Sequence, residues 1–468
     1  MPPGYFRSKV WRSRSFESGK YNKPCWVTIV FSIFIFFVVF AGGSSRPDTQ
    51  LLLLLRPASI LCVMVILLLR QPNWHIIRPL PFLLAAFAAS IAIQLVPLPP
   101  ALWYRLPGRE SYDAVALALG GTHAWHPLAI APDMAWNSLV SLIVPLGCLV
   151  GFASLDGDQR RLLLWPMLGL IAFSMMLGVA QIAGGESSSL YWYKVSGRGQ
   201  LIGLLANRNH QGAFLALALP LLRAWSLSET TKKKVALTHN IVFLAGAAII
   251  ILYILVLGSR AGLALTMVGI AAAWLVQPAI GLRSLPARQR WLVIAGLVIG
   301  VAAVLALALT TDRAVSIGRI ADDDLRTEGR VAALPTLLHI ITQTMPFGAG
   351  FGSFVPVYNS YEPDALLSPF YFNNAHNDLI ELAITGGVPA LLVFAGFLFW
   401  WARASWRSLA STDLGPWRPL QRASAFSILI LLLASLTDYP LRTPLLGAVF
   451  TILCCWLAHP PKPDTPRQ

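Results

Sequence analysis

The chain has 468 residues, of which 56% are hydrophobic and only 12% are charged, and its formal net charge is +15. The apolar residues come in long unbroken runs, which excludes an ordinary soluble domain and predicts a polytopic integral membrane protein. A basic balance can indicate nucleic acid, but here the Lys and Arg residues concentrate in the segments on one side of the apolar runs, as the positive-inside rule describes.

Runs long enough to cross ~30 Å of hydrocarbon as helices predict about twelve membrane spans. They are residues 26–43, 51–69, 80–98, 136–153, 162–182, 210–227, 240–257, 262–277, 291–310, 379–401, 421–437 and 443–458. Because the short segments on the inner side are all basic, both termini are assigned to the cytoplasm. The fold class is therefore all-α, with about twelve transmembrane helices and a large outer loop between helices 9 and 10.

The predicted organisation has five parts along the chain. These are a basic cytoplasmic N-terminus at 1–25, transmembrane helices 1–9 within 26–310, the large outer loop with surface helices at 311–375, transmembrane helices 10–12 within 376–458, and a cytoplasmic tail at 459–468. The first apolar run follows a long basic leader and is followed by many more spans, so we interpret it as an uncleaved first helix. The five cysteines lie in or beside helices, which indicates neither a disulfide framework nor a Cys-based metal site.

Two histidines, His123 and His126, follow the third predicted helix in an outer loop. With no third ligand nearby, we interpret them as ordinary loop histidines rather than a metal pair. The next outer loop ends in Arg208, Asn209 and His210, which concentrate guanidinium, amide and imidazole groups where a helix begins. Helix N-termini attract anions, so these three residues are candidates for substrate binding. The alternative is a capped helix with an interfacial arginine.

Helices seven and eight are joined by the short connection Gly258-Ser259-Arg260-Ala261-Gly262. Arg260 must therefore sit at or just within the outer membrane surface, against the inward bias of positive charge. An arginine deep in the membrane costs about 2.5 to 3.5 kcal/mol and usually faces a cavity or a partner. Arg260 is a candidate functional residue, and simple snorkelling of its side chain to the surface is the alternative.

The segment 311–375 is too long for an idle connection. It contains the run Asp322-Asp323-Asp324, which we predict to be a solvated acidic turn because adjacent carboxylates lack the spacing of a calcium loop. Arg330 follows, and then Leu337 to Thr344 have helical apolar spacing that predicts an amphipathic surface helix. The glycine-rich stretch from Pro346 to Phe354 is interpreted as a turn, although close backbone approach to a ligand is the alternative.

His376, Asn377 and Asp378 form a polar cluster that opens directly into an apolar run. Histidine exchanges a proton near neutral pH, so His376 is the candidate general base. The alternative is a His that caps the helix beside it, with Asn377 and Asp378 as N-cap partners. The last outer turn carries Asp438 and Arg442, which could form a salt bridge within the turn.

Under this topology Asn209, Arg260, Arg330, His376 and Asp438 all lie on the outer side of the membrane. Two arginines suit a diphosphate, because guanidinium groups bind phosphate oxygens through charge-assisted hydrogen bonds. A neutral His suits removal of a proton from a hydroxyl. This combination predicts transfer of a group from a lipid-borne pyrophosphate to an alcohol. The sequence shows no metal cluster, so no cofactor is predicted and the arginines would stabilise the departing charge.

At these positions the chain resembles the O-antigen ligase and O-antigen polymerase superfamily of bacterial envelopes. The stretches that carry the resemblance are Asn207-Arg208-Asn209-His210, Gly258-Ser259-Arg260-Ala261-Gly262, Arg330 ahead of the Pro346 to Phe354 turn, His376-Asn377 with Gly387 eleven residues after the His, and more loosely Asp438-Tyr439-Pro440-Leu441-Arg442. Their order and their common side of the membrane carry more weight than any one motif.

The resemblance implies a metal-independent glycosyltransferase that takes a glycan from undecaprenyl pyrophosphate to a hydroxyl acceptor at the periplasmic face of the inner membrane. It implies that Arg260 and Arg330 hold the pyrophosphate and that His376 activates a lipid or glycan hydroxyl. Asn209, Arg208, His210, Asn377, Asp438 and Arg442 are the predicted substrate-binding residues.

Two alternatives to a ligase follow from the sequence. Ala390 stands three residues after Gly387, where ligases of this superfamily usually show Gly, Thr or Tyr, so a polymerase with the same chemistry is one alternative. A transporter of lipid-linked glycans is the other, but transporters place ionisable residues near the bilayer midplane. Here the charges crowd one surface, which favours the enzyme.

Overall fold

The computed structural model describes residues 26–121, 124–227, 233–276, 320–367, 372–411 and 415–459. Within these ranges almost all regular structure is helical. The helices are α1 (Trp26–Ala41), α2 (Leu52–Leu69), α3 (Leu80–Ile93), α4 (Pro100–Trp103), α5 (Glu110–Ala118), α6 (Pro132–Ser141), α7 (Ile143–Ser154), α8 (Gly157–Leu162), α9 (Leu164–Ala183), α10 (Arg208–Ala216), α11 (Ala218–Ser226), α12 (Lys233–Leu257), α13 (Arg260–Val276), α14 (Ile320–Thr344), α15 (Phe354–Tyr361), α16 (Asp378–Ala410), α17 (Arg418–Ala434) and α18 (Pro444–Ala458).

Short elements complete this part of the chain. Three 3₁₀-helices lie at Trp74–Ile77, Asp364–Leu366 and Pro440–Arg442. The strands β1 (Pro97–Leu98) and β2 (His126–Pro127) pair antiparallel, with Leu98 opposite His126.

Five helical segments are long and apolar enough to cross a membrane, judged by length and composition. They are Leu52–Leu69, Pro132–Ser154, Gly157–Ala183, Val235–Leu257 and Asp378–Ala410, and shorter apolar helices accompany them. This confirms a helical membrane protein. Each predicted span except one coincides with a described helix or with two consecutive helices. The ninth, 291–310, lies outside the described residues, so the count of twelve spans stays a prediction.

The centre of the bundle is formed by α10, α11, α13, α17 and α18, which pack on one another. From Ala213 to Leu219 every residue is at most 1% exposed, which leaves this stretch no contact with the surroundings of the protein. Small residues allow the closest crossing: a Cβ added at Gly212 of α10 would lie 2.9 Å from the Cα of Gly262 in α13. This approach brings the N-terminal ends of α10 and α13 side by side.

The segment before the candidate base differs from its prediction. Residues 322–324 lie within the first turns of α14, so the predicted acidic turn is wrong, and the helix begins well before Leu337. Further along α14, Leu337 and Ile340 are buried against α15 and the first turns of α16.

The glycine-rich turn from Pro346 to Phe354 fits against a break in α16. Gly387 has φ 59° and ψ −157°, a backbone conformation essentially restricted to glycine. The turn pairs its backbone with the broken helix, because Ala349 N–H donates to Ile384 O over 2.8 Å and Val388 N–H donates to Pro346 O over 2.8 Å. The backbone of this turn therefore approaches the backbone of α16 closely, rather than that of a ligand.

The four described cysteines, Cys62, Cys148, Cys454 and Cys455, are buried and unoxidised. They lie within α2, α7 and α18 and pack with the apolar core. As expected from the sequence, these thiols serve as small packing groups. The fifth cysteine, Cys25, lies outside the described residues.

Candidate functional site

The loop between α17 and α18 carries a buried carboxylate, Asp438, whose residue is only 2% exposed. Its Oδ2 accepts hydrogen bonds from Asn209 Nδ2 at 3.0 Å and from Asn207 Nδ2 at 3.3 Å. Its Oδ1 accepts from the N–H of Tyr439 at 3.0 Å. Two imidazoles approach the same oxygen, with His376 Nδ1 at 3.6 Å and His210 Nε2 at 3.7 Å. Asp438 is the centre of a polar cluster that joins three distant segments.

The first turn of α10 supplies one side of this cluster. Asn207 is the N-cap, because its side-chain oxygen accepts from the N–H of Asn209 at 2.7 Å. His210 is 1% exposed, and its Nδ1 lies 3.1 Å from Thr443 Oγ1. The alternative of a capped helix is thus correct for Asn207, while Asn209 and His210 turn toward Asp438. Arg208, the first residue of α10, is partly buried.

His376 lies just outside α16 and does not cap it. Asn377 is the N-cap, since its Oδ1 accepts from the N–H groups of Leu379 and Ile380 at 3.0 and 3.1 Å. His376 has φ 50°, a left-handed conformation that is uncommon and strained for a non-glycine residue. Its side chain is 16% exposed.

Aromatic rings surround the His376 imidazole on two sides. The Phe372 ring lies 5.6 Å away and the Tyr439 ring 5.1 Å away, measured between centroids. Because Nδ1 faces Asp438, Nε2 lies on the far side of the imidazole from the carboxylate. A carboxylate behind an imidazole stabilises the protonated ring, which is the arrangement of a general base that takes a proton at its other nitrogen.

The charge state of Asp438 follows from competing effects. Burial disfavours the ionised carboxyl, but the electrostatic attraction of the nearby His210 and His376 side chains outweighs burial, and the pKa of Asp438 lies well below its usual value. The carboxyl is therefore ionised throughout the neutral range. It can hold both imidazoles in place and balance a positive charge on either of them.

Arg442 contacts a different set of groups from those around Asp438. Its Nε donates to Asp378 Oδ1 over 2.9 Å, and its Nη1 donates to Glu381 Oε1 and, at 3.2 Å, to Asn374 Oδ1. The alternative of a salt bridge with Asp438 within the turn is wrong. The physical reason is that the 3₁₀-helix Pro440–Arg442 separates the two side chains, and each finds closer partners in other segments.

The Arg442 contacts tie the turn between α17 and α18 to the start of α16. The Glu381 side chain is only 3% exposed, and its second oxygen accepts from the N–H of Ala375 at 2.8 Å. Burial disfavours the cation, but the carboxylates of Glu381 and Asp378 raise the pKa of Arg442 above its usual value. These bonds join Arg442 to residues on both sides of His376, namely Asn374, Asp378 and Glu381. Arg442 therefore helps to fix the position of the segment that carries the imidazole.

Arg260 is the first residue of α13 and is exposed. The preceding residue, Ser259, donates its hydroxyl to Asn209 Oδ1 over 2.8 Å and accepts from the N–H of Gly262 at 3.0 Å. Ser259 thereby links the start of α13 to the Asp438 cluster and places Arg260 next to it. The Arg330 backbone lies in α14, but its side chain is outside the described residues, so its approach to Arg260 stays a prediction.

The structure thus brings together the segments around Asn209, Ser259, His376 and Asp438. Sequence reasoning missed the contacts of Ser259, Tyr439 and Thr443, which lie inside or directly beside the motifs it used. It also missed the pairing of Glu381 with Arg442, for which the only signal was an acid one turn into an apolar helix. Among the described residues, no group of three or more His, Cys, Asp or Glu is arranged to hold a metal ion.

The fold and the polar cluster at the end of its helices define a helical membrane protein with a buried cluster of carboxylate, imidazole and amide groups. Residues 245–395 match a protein-family model, Wzy_C, described as O-antigen ligase. This match supports the O-antigen ligase and O-antigen polymerase superfamily, which the motifs of the chain predict. The family supports a bacterial membrane enzyme of the glycosyltransferase kind acting on lipid-linked glycans. A comparison with curated proteins found no match.

Proposed function

We propose that the protein is a metal-independent glycosyltransferase that moves a glycan from undecaprenyl pyrophosphate to a hydroxyl acceptor. The reaction takes place at the periplasmic face of the bacterial inner membrane, with both termini in the cytoplasm. The observation that carries the proposal is the His376 imidazole backed by the buried Asp438 carboxylate, 3.6 Å away. Arg260 begins the neighbouring helix, and both Arg260 and His376 lie within the region matched by the family model.

In the proposed reaction, His376 removes the proton from the acceptor hydroxyl as its oxygen bonds to the glycan's first sugar carbon. The bond between that carbon and the pyrophosphate oxygen breaks, and the pyrophosphate leaves with its bonding electrons. Arg260 and Arg330 hold the pyrophosphate and balance its developing negative charge. Asp438 stabilises the resulting imidazolium and is itself not protonated.

The remaining candidate residues take two roles. Asn209 and His210 contact Asp438, and Asn377 caps α16, so these residues position the imidazole. Arg442 positions the same segment through Asp378 and Glu381. Arg208, at the start of α10, remains the candidate for direct contact with the anionic donor, since helix N-termini favour anions.

The test is to purify the wild type and the variants His376→Ala, Arg260→Lys and Arg330→Lys, and to measure donor binding and glycan transfer separately. Arg403→Lys is the matched control, because Arg403 is exposed in the later part of α16. The wild type is assayed with and without a chelator of divalent metals, and the variants are assayed with it. Loss of the base should lower transfer by about 100-fold or more while donor affinity changes little. The Lys variants should lose donor binding, because Lys keeps the charge but not the planar fork.

Three outcomes would contradict the proposal. The first is transfer by His376→Ala at a rate comparable to the wild type. The second is near-normal donor binding in both Lys variants. The third is inactivation of the wild type by the chelator alone, which would make a metal ion part of the chemistry.

A polymerase with the same chemistry is the second candidate, and Ala390 is the observation that favours it. Ala390 is 0% exposed and packs with Ile91 and Phe351 beside the Gly386–Gly387 break. A Tyr, one of the residues usual in ligases at this position, would not fit this packing. Purified enzyme offered a lipid A core acceptor or a second lipid-linked glycan as acceptor will separate the two activities.

A further inference from the structure

A cavity of about 470 Å³ lies in the connection between α2 and α3, away from the Asp438 cluster. Its lining includes Asn73, Trp74, His75, Arg78 and Phe82. The 3₁₀-helix Trp74–Ile77 forms one wall and is fixed by Ile77, which is 0% exposed. The N–H of Asn73 donates to Ala153 O over 3.1 Å, which ties the connection to the end of α7. The wall is therefore part of the folded bundle.

The charge of the cavity comes from Arg78, with His75 beside it, and both residues are exposed. Another arginine of the same connection, Arg70, forms an ion pair with Asp156 over 2.6 Å. Within the described ranges Arg78 has no such carboxylate partner. Its guanidinium can therefore donate to an anion that enters the cavity, and Asn73 and His75 add polar groups to the same lining.

One side of the cavity continues onto the apolar surface of the helices. Phe82 in the first turn of α3 is 65% exposed, and Leu68 in the last turn of α2 is 85% exposed. The helix α2 is one of the segments apolar enough to cross a membrane. Trp74 is also part of the lining, and tryptophan is enriched at membrane interfaces. The cavity is thus cationic where the connection leaves the membrane and apolar where the helices enter it.

We propose that this cavity binds the phosphate of an anionic phospholipid, with Arg78 on the phosphate and an acyl chain along Phe82. A free phosphate compound shares the head-group chemistry but has no chain to cover the apolar side. The site lies in the leaflet that faces the basic α2–α3 connection. The wall helix also contacts α7 and α18, so a bound lipid stabilises the packing of these helices. This inference does not depend on the proposed transferase activity.

The test measures thermal unfolding of the purified protein in detergent as phospholipid is added. Phosphatidylglycerol is the anionic probe and phosphatidylethanolamine the zwitterionic one, and glycerol phosphate and inorganic phosphate are the soluble probes. The variants are Arg78→Gln and His75→Ala, with Arg403→Gln as the control for an exposed arginine outside the cavity. If Arg78→Gln does not fold, Arg78→Lys replaces it and is expected to bind with intermediate affinity.

We expect phosphatidylglycerol to raise the unfolding midpoint of the wild type and of Arg403→Gln more than phosphatidylethanolamine does. Arg78→Gln should need about 10-fold more phosphatidylglycerol for half of the effect, since hydrogen bonds to charged groups contribute at least this much. Equal responses of wild type and Arg78→Gln, or of the two phospholipids, would overturn the proposal. A response to the soluble phosphates as large as to the lipid would overturn the lipid assignment.

Discussion

His376 and Asp438 meet with Nδ1 and Oδ1 3.6 Å apart, although the whole of α16 and α17 lies between them in the chain. His210 approaches the same oxygen from α10. One buried carboxylate therefore faces two imidazoles from segments that share no local structure. A substitution of Asp438 should therefore alter the electrostatic surroundings of both histidines.

Replacing Asp438 by Asn is expected to lower glycan transfer at least about 10-fold, because a neutral amide does not stabilise a protonated His376. The side chain keeps nearly the same size, so the protein should still fold. Initial rates of transfer with saturating donor will measure the effect. Asp364→Asn is the control, since Asp364 is an exposed acid in the segment between α15 and α16 and its substitution should leave the rate unchanged.

The wild type and Asp438→Asn should also differ in how their thermal stability depends on pH. The pKa of Asp438 is lowered on folding, so its ionised form contributes stability above the unfolded pKa of about 3.9, and this contribution is lost as pH falls through the folded value. The wild type should unfold at a higher temperature than Asp438→Asn from pH 8 to 5, and the difference should shrink only below about pH 4. A difference that disappears between pH 7 and 5 would contradict the lowered pKa.

Arg442→Met should destabilise the protein by about 3 kcal/mol, because it leaves the buried carboxylate of Glu381 without its cation. Adding Glu381→Gln to this variant should recover part of the loss, since a neutral amide costs less to bury than a charge. The unfolding midpoints of the wild type, both single variants and the double variant will show this coupling. Additive effects of the two substitutions would mean that the pair does not interact.

Gly387→Ala should lower the unfolding midpoint strongly. A Cβ at this position would lie 2.4 Å from Pro346 O, and φ 59° with ψ −157° is strained for alanine by roughly 1 to 3 kcal/mol. Gly396→Ala in the same helix is the matched control, because its Cβ would meet nothing closer than Leu83 Cδ2 at 3.9 Å. If both variants behave alike, the break in α16 does not require glycine.

Ser259→Ala removes a helix cap and the bond to Asn209 Oδ1 together. The expected loss of stability is about 1 kcal/mol, and donor binding should also weaken because Arg260 is then no longer held beside the cluster. Ser259→Thr keeps a hydroxyl and should retain most of the donor affinity. Binding of the lipid-linked donor to the three proteins provides the measurement. Equal donor affinity in all three proteins would show that Ser259 does not position Arg260.

The sequence predicts the helices well because a helix that crosses the membrane needs an apolar run of about the length that the hydrocarbon layer sets. It also indicates the segments that meet, since Asn209, His376 and Asp438 each stand in a polar break between such runs. It does not indicate which side chains touch. Nearness in sequence favours Asp438 as the partner of Arg442, whereas the 3₁₀-helix directs Arg442 to Glu381. The run of three Asp residues is predicted as a turn because adjacent carboxylates lack the spacing of a calcium loop, whereas the backbone of residues 322–324 is helical.

The burial of Cys62, Cys148, Cys454 and Cys455 offers a direct way to determine the sidedness of the protein. Water-soluble maleimides have little access to thiols packed in the core. Replacing Cys25 by serine is therefore enough to keep labelling of the native cysteines low. A single cysteine introduced at an exposed position such as Asp364, or at Arg403, then reports its own side of the membrane in intact cells. The sidedness of the protein can thus be mapped by cysteine labelling without substituting the four buried cysteines.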